Sequence, residues 1–129
     1  MAKTILIVDD DPQLGEEMLE ILRTEGYQAD HATDRKSAVS RLHEMSYALC
    51  LLDYKMVGIT GVDLLVKIKR ICPQCRVVFI SGRPGLEDIL NESGVSHMVE
   101  GIIAKPFRVS AFLETIENQF RKPLLAEDN

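Results

Sequence analysis

Short apolar runs alternate along the chain with longer amphipathic segments. The apolar runs, which we interpret as five strands, span residues 4–8, 27–32, 47–52, 76–80 and 101–104. Between and after them, apolar residues recur three and four positions apart, as they do on one face of a helix. This alternation is typical of a parallel sheet with helices on both faces. We therefore predict an α/β fold: a single-domain, doubly wound, five-stranded parallel sheet with five helices.

The first predicted helix has clear boundary signals. Pro12 fits the first helical turn, where its missing N–H costs nothing, and Asp11 before it is the expected N-cap. Gly26 is expected to end this helix. Residues 84–101 are the least regular part of the pattern. They predict a short fourth helix broken at Gly94, followed by a turn or loop.

Length and charge limit the classes of function. The chain has 129 residues, enough for one domain, which we place at residues 1–121, with the patternless residues 122–129 as a C-terminal tail or linker stub. A net charge of −5 argues against nucleic acid as a direct partner. No apolar run is long enough to span a membrane, and no signal sequence is evident, so we expect a soluble cytoplasmic protein.

Polar side chains follow four of the five predicted strands. Asp9 and Asp10 follow the first strand, Asp53 the third, Ser81 the fourth and Lys105 the fifth. The carboxyl ends of parallel strands meet at one edge of the sheet, where ligands bind. Carboxylates brought together there repel each other by about 4 kcal/mol per pair at 4 Å and an effective dielectric constant near 20. A proton, the lysine ammonium or a hard divalent cation such as Mg²⁺ would offset that repulsion.

This set of groups suits phosphoryl transfer onto an aspartate. A metal ion and an ammonium neutralise charge on the transferring group, and a hydroxyl donates a hydrogen bond to one of its oxygens. The alternative is that Asp9, Asp10 and Asp11 are only loop and helix-cap acids and that Lys105 is an ordinary surface charge. Matching polar endings on four strands make this alternative the weaker one.

The same strand endings resemble the signature blocks of a known family, the response regulator receiver domain (CheY-like) of two-component signalling systems. The resemblance covers nearly the whole chain and implies a flavodoxin-like sheet with strand order 2-1-3-4-5. The blocks that carry it are Ile5-Leu6-Ile7-Val8-Asp9-Asp10-Asp11-Pro12, Leu51-Leu52-Asp53-Tyr54-Lys55-Met56 with Gly61 following, Phe79-Ile80-Ser81-Gly82, and Ala104-Lys105-Pro106-Phe107.

The resemblance implies a phosphoacceptor and a metal site. Asp53 would accept a phosphoryl group from a sensor histidine kinase or a phosphotransfer protein. Asp10 would bind Mg²⁺ directly, or Mn²⁺ in its place, with Asp9 assisting through water. Asp53 and the backbone carbonyl of Lys55 would complete the protein ligands.

The resemblance also implies roles for the remaining polar residues. Ser81 and Lys105 would bind the phosphoryl oxygens, and Ser81 would move when the group arrives. Ile102 stands at the switch position where many members of the family carry Tyr or Phe. Lys55 and Arg83 occupy positions that tune dephosphorylation, with solvated loop charges as the alternative. A further departure is Val57, which replaces the usual proline.

Taken together, these roles describe a phosphorylation-dependent switch rather than an enzyme with turnover on a metabolite. Phosphorylation would shift the face formed by helix 4, strand 5 and helix 5. That face would act on a downstream protein target or on a C-terminal output domain beyond this chain, or it would form a phosphorylation-dependent homodimer. No direct contact with nucleic acid or membrane is expected.

Two other functions compete with this one. A small phosphohydrolase of the haloacid dehalogenase type would use Asp9 as its nucleophile and leave Asp53 spare. A degenerate receiver would bind partners without being phosphorylated.

The Cys72-Pro73-Gln74-Cys75 motif follows a helix and lacks a second C-x-x-C, so an incidental pair of thiols is favoured over a redox or zinc site. His31, His43 and His97 show no metal-ligand spacing.

Overall fold

The computed structural model describes residues 3–55 and 61–121. Within these ranges the chain forms a five-stranded sheet in which every pair of neighbouring strands is parallel. The strand order is β2-β1-β3-β4-β5, as predicted. The strands are β1 (Thr4–Val8), β2 (Gln28–Ala32), β3 (Leu49–Asp53), β4 (Arg76–Ser81) and β5 (Gly101–Ala104).

Five α-helices connect and follow the strands in the described ranges. They are α1 (Pro12–Thr24), α2 (Arg35–Glu44), α3 (Gly61–Ile71), α4 (Leu86–Glu92) and α5 (Val109–Arg121), and a single 3₁₀ turn (Ser96–Met98) lies between α4 and β5. The short fourth helix and the break after it are confirmed. Gly94 allows the break because its φ of 73° lies in the left-handed region.

Two apolar cores lie on opposite faces of the sheet. Alternate residues of each strand point to opposite faces, so Ile5 and Ile7 pack against one set of helices and Leu6 and Val8 against the other. Residues of α1 and α5 fill the first core, and those of α2, α3 and α4 fill the second. Strands β1, β3 and β4 are buried along their whole length, which explains their continuous apolar runs.

The start of α1 follows the predicted capping pattern. The carboxylate of Asp11 accepts hydrogen bonds from the backbone N–H groups of Gln13 (3.0 Å) and Leu14 (3.2 Å). Pro12 occupies the first helical position. The capped start of α1 therefore follows directly after Asp9 and Asp10.

Some sequence-based expectations concern residues outside the described ranges. These expectations concern Met56 in the family motif, the replacement of the usual proline by Val57, and the tail at residues 122–129. Among the described helices, none combines the length and the apolar character needed to cross a membrane.

Candidate functional site

Three carboxylates converge at the carboxyl edge of the sheet. Asp9 directly follows β1, and Asp53 is the last residue of the neighbouring strand β3. Together with Asp10 they form a cluster whose ligand oxygens lie within 4.8 Å of one another. Strands β2 and β3 flank β1 on opposite sides, so this cluster lies where the strand order reverses. The sequence predicted this convergence.

Lys105 brings the compensating charge from the far side of the sheet. Its Nζ lies 3.3 Å from Oδ2 of Asp53 and 3.6 Å from Oδ2 of Asp9. The backbone N–H of Lys105 donates to the carbonyl of Ser81 (2.9 Å), which continues the pairing of β5 with β4 past the end of the strand. One ammonium therefore contacts two carboxylates that are 44 residues apart in the chain (53 − 9 = 44).

The two carboxylates that contact Lys105 are buried. Asp9 is 1% exposed and Asp53 is 3% exposed, whereas Asp10 is exposed. Burial raises the pKa of Asp53, and the nearby Asp9 raises it further. The Lys105 ammonium and the backbone N–H of Lys55 act in the opposite direction on this pKa. The ammonium therefore compensates only part of the cost of the buried charge.

The unused acceptor capacity of these oxygens fits a hard cation. Oδ1 of Asp9 accepts from the N–H of Asp11 (2.9 Å), and Oδ1 of Asp53 accepts from the N–H of Lys55 (3.1 Å). Oδ2 of Asp9 is buried and accepts no hydrogen bond in the described structure, since the Lys105 ammonium, at 3.6 Å, is beyond hydrogen-bond distance. A buried carboxylate oxygen without a donor is costly unless a cation binds it. The cluster offers only oxygen ligands, which suits Mg²⁺. Its three carboxylates also carry more negative charge than the one ammonium neutralises.

Ser81 lies at the end of β4, beside the site, and its hydroxyl oxygen accepts a hydrogen bond from the following loop. It is buried at the end of β4, and its Oγ accepts a hydrogen bond from the backbone N–H of Arg83 (2.9 Å). The side chains of Lys55 and Arg83 are exposed in the loops after β3 and β4. Ile102 is half-buried against the core formed with α2, α3 and α4, and does not join the acidic cluster.

The C-x-x-C motif lies away from the acidic cluster, because it precedes β4 whereas Ser81 ends that strand. Both thiols are buried, and Sγ of Cys72 lies 3.7 Å from the carbonyl oxygen of Tyr47. A hydrogen bond between the two thiols lowers the pKa of Cys72 to about 6 and raises the pKa of Cys75. No described group of metal-ligating residues includes either cysteine.

One residue at the site has no role in the sequence-based assignment. Nε2 of His31, in β2, lies 2.7 Å from the backbone carbonyl oxygen of Asp9. The only sequence signal for this contact is Gly15, a glycine inside the otherwise regular helix α1. Spacing along the chain does not reveal it, since Asp9 and His31 are 22 residues apart.

Curated proteins similar to this chain are response regulators. CpdR, a response regulator receiver protein of Brucella abortus, is 28% identical over 124 residues, covering 96% of this chain and 98% of CpdR. The phosphate regulon transcriptional regulatory protein PhoB of Escherichia coli is 30% identical over 132 residues, covering 99% of this chain and 57% of PhoB. The chain thus spans nearly all of CpdR, but only 26% to 57% of the length of several other curated relatives.

The solved structures and the family model agree with these relatives. The response regulator TrrA of Thermotoga maritima, solved in complex with Mg²⁺–BeF, superposes with a TM-score of 0.76 at 25% identity, covering 91% of this chain and 98% of TrrA. The family model of the response regulator receiver domain matches residues 5–117. The described geometry and this match lead to one conclusion: the chain belongs to the response regulator receiver domain family of two-component systems.

Proposed function

We propose that this chain is a phosphorylation-dependent switch in which Asp53 accepts a phosphoryl group from a phosphohistidine of a sensor histidine kinase or phosphotransfer protein. The observation that carries the proposal is the contact of Lys105 with both Asp53 and Asp9 within the carboxylate cluster. An ammonium held beside a buried carboxylate is placed to stabilise charge on a group arriving at that carboxylate.

In this proposal the transfer is a direct displacement. A carboxylate oxygen of Asp53 forms a bond to phosphorus as the bond between phosphorus and the donor imidazole nitrogen breaks. The imidazole leaves with the electron pair of that bond. Lys105 contacts the phosphoryl oxygens as charge develops on them. The protein acts as a phosphoacceptor that assists its own phosphorylation and dephosphorylation, not as an enzyme with turnover on a metabolite.

Asp9, Asp10, Asp53 and the backbone carbonyl of Lys55 would hold Mg²⁺ in this site, with Mn²⁺ as a substitute. The cation would neutralise charge on the carboxylates and on the phosphoryl oxygens. The Asp9 oxygen without a donor and the donor set itself support this assignment. TrrA, which is similar to this chain, binds Mg²⁺–BeF.

The conformational response would begin at Ser81. We propose that the hydroxyl, whose oxygen accepts from the N–H of Arg83 in this structure, moves to donate its proton to a phosphoryl oxygen, and that the face formed by α4, β5 and α5 adjusts as Ser81 moves. Ile102 would follow within its half-buried site, as the aliphatic counterpart of the aromatic switch residue common in the family. The exposed side chains of Lys55 and Arg83 would tune how long the phosphoryl group survives.

The output is proposed to be contact with protein. Residues 1–121 would form the receiver, with residues 122–129 as a C-terminal tail or linker stub. A downstream protein target and an attached output domain are two forms of this output. A phosphorylation-dependent homodimer is the third form of output. The net charge of −5 disfavours direct binding of nucleic acid by this domain.

Intact-mass spectrometry after incubation with acetyl phosphate tests the proposal. The expected result is one added phosphoryl group that requires Mg²⁺, disappears with a chelator and is absent from the Asp53→Asn variant. An adduct that survives Asp53→Asn but is lost with Asp9→Asn would favour the haloacid dehalogenase type of chemistry instead. No adduct on the parent chain, with folding and Mg²⁺ binding verified, would favour a degenerate receiver that only binds partners.

A further inference from the structure

Gly15 and the His31 ring occupy adjoining space. Gly15 is the fourth residue of α1 and is buried there, although glycine is a poorer helix former than alanine. A Cβ at this position would overlap the imidazole ring of His31. The glycine therefore lets the ring lie directly against the helix backbone. Glycine at this position therefore leaves room for the ring, at a cost in helix propensity.

The placed ring binds the backbone next to the acidic cluster. Nε2 of His31 lies 2.7 Å from the carbonyl oxygen of Asp9, and because a carbonyl only accepts, Nε2 is the donor. The N–H of Asp9 donates in turn to the carbonyl of Ala32, at 3.1 Å. Both polar backbone groups of Asp9 are thus fixed by consecutive residues of β2.

The carbonyl that His31 binds belongs to the peptide group joining Asp9 to Asp10. The orientation of this peptide sets the direction in which the Asp10 side chain leaves the backbone. It also sets the position of the Asp11 N–H, which donates to Oδ1 of Asp9 (2.9 Å). Rotating this peptide would therefore move both carboxylates of the loop relative to Asp53.

We infer that His31 is a positioning residue for the divalent cation site: by donating to the Asp9 carbonyl from its place against Gly15, it holds the Asp9 and Asp10 carboxylates in their binding arrangement. The inference rests on the proposed function for the identity of the cation. The claim that His31 orders the loop carrying Asp9 and Asp10 does not depend on a bound cation. Partners that orient metal ligands typically change metal affinity by about 10- to 100-fold when removed.

Two variants at His31 separate donation from packing. His31→Phe keeps a ring against Gly15 and removes the donor, so we expect only the small shift of the urea midpoint that the loss of one hydrogen bond causes, but about tenfold weaker binding of Mg²⁺ by isothermal titration calorimetry. His31→Gln removes the ring but keeps an amide N–H that reaches the same carbonyl. We expect it to restore the affinity to within about threefold of the parent.

A change on the helix side tests the same contact independently. Gly15→Ala improves helix propensity but displaces the ring, so we expect it to weaken Mg²⁺ binding about tenfold, as His31→Phe does. In a His31→Ala background the ring is absent, and Gly15→Ala should then raise the urea midpoint without further loss of affinity. This non-additivity is the signature of a direct contact between the two positions.

Hydrogen exchange of the Asp11 amide, measured by NMR on the metal-free protein, distinguishes failure of this inference from failure of the proposed function. We expect exchange to be about tenfold faster in His31→Phe than in the parent chain. Faster exchange together with a parent chain that binds no Mg²⁺ would contradict the proposed metal site and leave His31 as an organiser of the loop. Parent-like exchange and parent-like Mg²⁺ affinity in His31→Phe would overturn the positioning role and reduce His31 to packing.

Discussion

The ammonium nitrogen of Lys105 lies 3.3 Å from Oδ2 of Asp53, the proposed phosphoacceptor, and so lies where it would contact a phosphoryl group arriving at that carboxylate. The same nitrogen lies 3.6 Å from Asp9. Lys105 is thus a counter-ion of the two buried carboxylates and, in the proposed transfer, a cation beside the incoming group. These two roles predict opposite effects on metal binding and on phosphorylation.

Replacing Lys105 should separate the two roles. Lys105→Met removes a cation that repels Mg²⁺, so we expect Mg²⁺ to bind about three- to tenfold more tightly. The rate of phosphorylation by acetyl phosphate should fall by about 100-fold, the usual effect of removing one group that stabilises charge in a transition state. Calorimetry and intact-mass time courses measure the two quantities. Lys67→Met, on the exposed face of α3, is the matched control and should change neither. Weaker Mg²⁺ binding by Lys105→Met would contradict this account.

The raised pKa of Asp53 predicts a pH-dependent stability. The folded protein holds the Asp53 proton more tightly than the unfolded chain, whose carboxyl has the ordinary pKa of 3.8. The native state therefore loses stability as the pH rises from about 3.8 through the raised value. Without metal, Asp53→Asn should raise the melting temperature at pH 7.5 by about 3 °C or more and have little effect below pH 3.5.

Thermal melts in chelator across this pH range measure the effect. Mg²⁺ should stabilise the parent chain by binding the folded state, and should stabilise Asp53→Asn less. A lower melting temperature for Asp53→Asn at pH 7.5 in chelator would show that the Lys105 contact outweighs the burial of the charge.

Two adjacent acids are expected to have separate roles. Asp11 caps α1, so Asp11→Ala should lower the free energy of unfolding by about 1 kcal/mol and leave the Mg²⁺ affinity within about threefold. Asp10 is exposed and belongs to the carboxylate cluster, so Asp10→Asn should weaken Mg²⁺ binding by at least tenfold with little change in stability. Urea titration and calorimetry on both variants check this. Equal losses of Mg²⁺ affinity would mean that the cap and the cluster act as one unit.

Ile102 is predicted to matter for packing and output rather than for transfer chemistry. It is half-buried against the core and lies outside the carboxylate cluster. Ile102→Ala should lower the free energy of unfolding by about 1–2 kcal/mol, less than for a fully buried isoleucine. It should leave the rate of phosphorylation by acetyl phosphate nearly unchanged. A rate loss greater than about tenfold, equal to about 1.4 kcal/mol of barrier, would place Ile102 in the site.

The limits of pattern-based prediction show at Tyr47. The predicted third strand starts at this residue, but β3 begins at Leu49. The Tyr47 ring is buried, and its hydroxyl donates to Oδ2 of Asp30 (2.6 Å). Tyr47 is therefore buried without belonging to the strand, and counting it with the apolar run placed the start of β3 too early. At its other end the predicted strand stops at residue 52, whereas β3 includes Asp53, which pairs with Ile80 of β4. A charged residue does not extend an apolar run, so the pattern placed this end one residue early.

The sequence by itself determined the sheet, its strand order through the family resemblance, and the set of acids and lysine at its carboxyl edge. Hydrophobic periodicity and strand endings are local, so they can be read along the chain. Only the tertiary structure decided that Lys105 contacts both buried carboxylates, that the Ser81 hydroxyl accepts from Arg83, and that His31 lies against Gly15 to bind the Asp9 carbonyl. These contacts depend on side-chain directions and on the register between strands. Both arise from the simultaneous packing of distant segments, which no local pattern records.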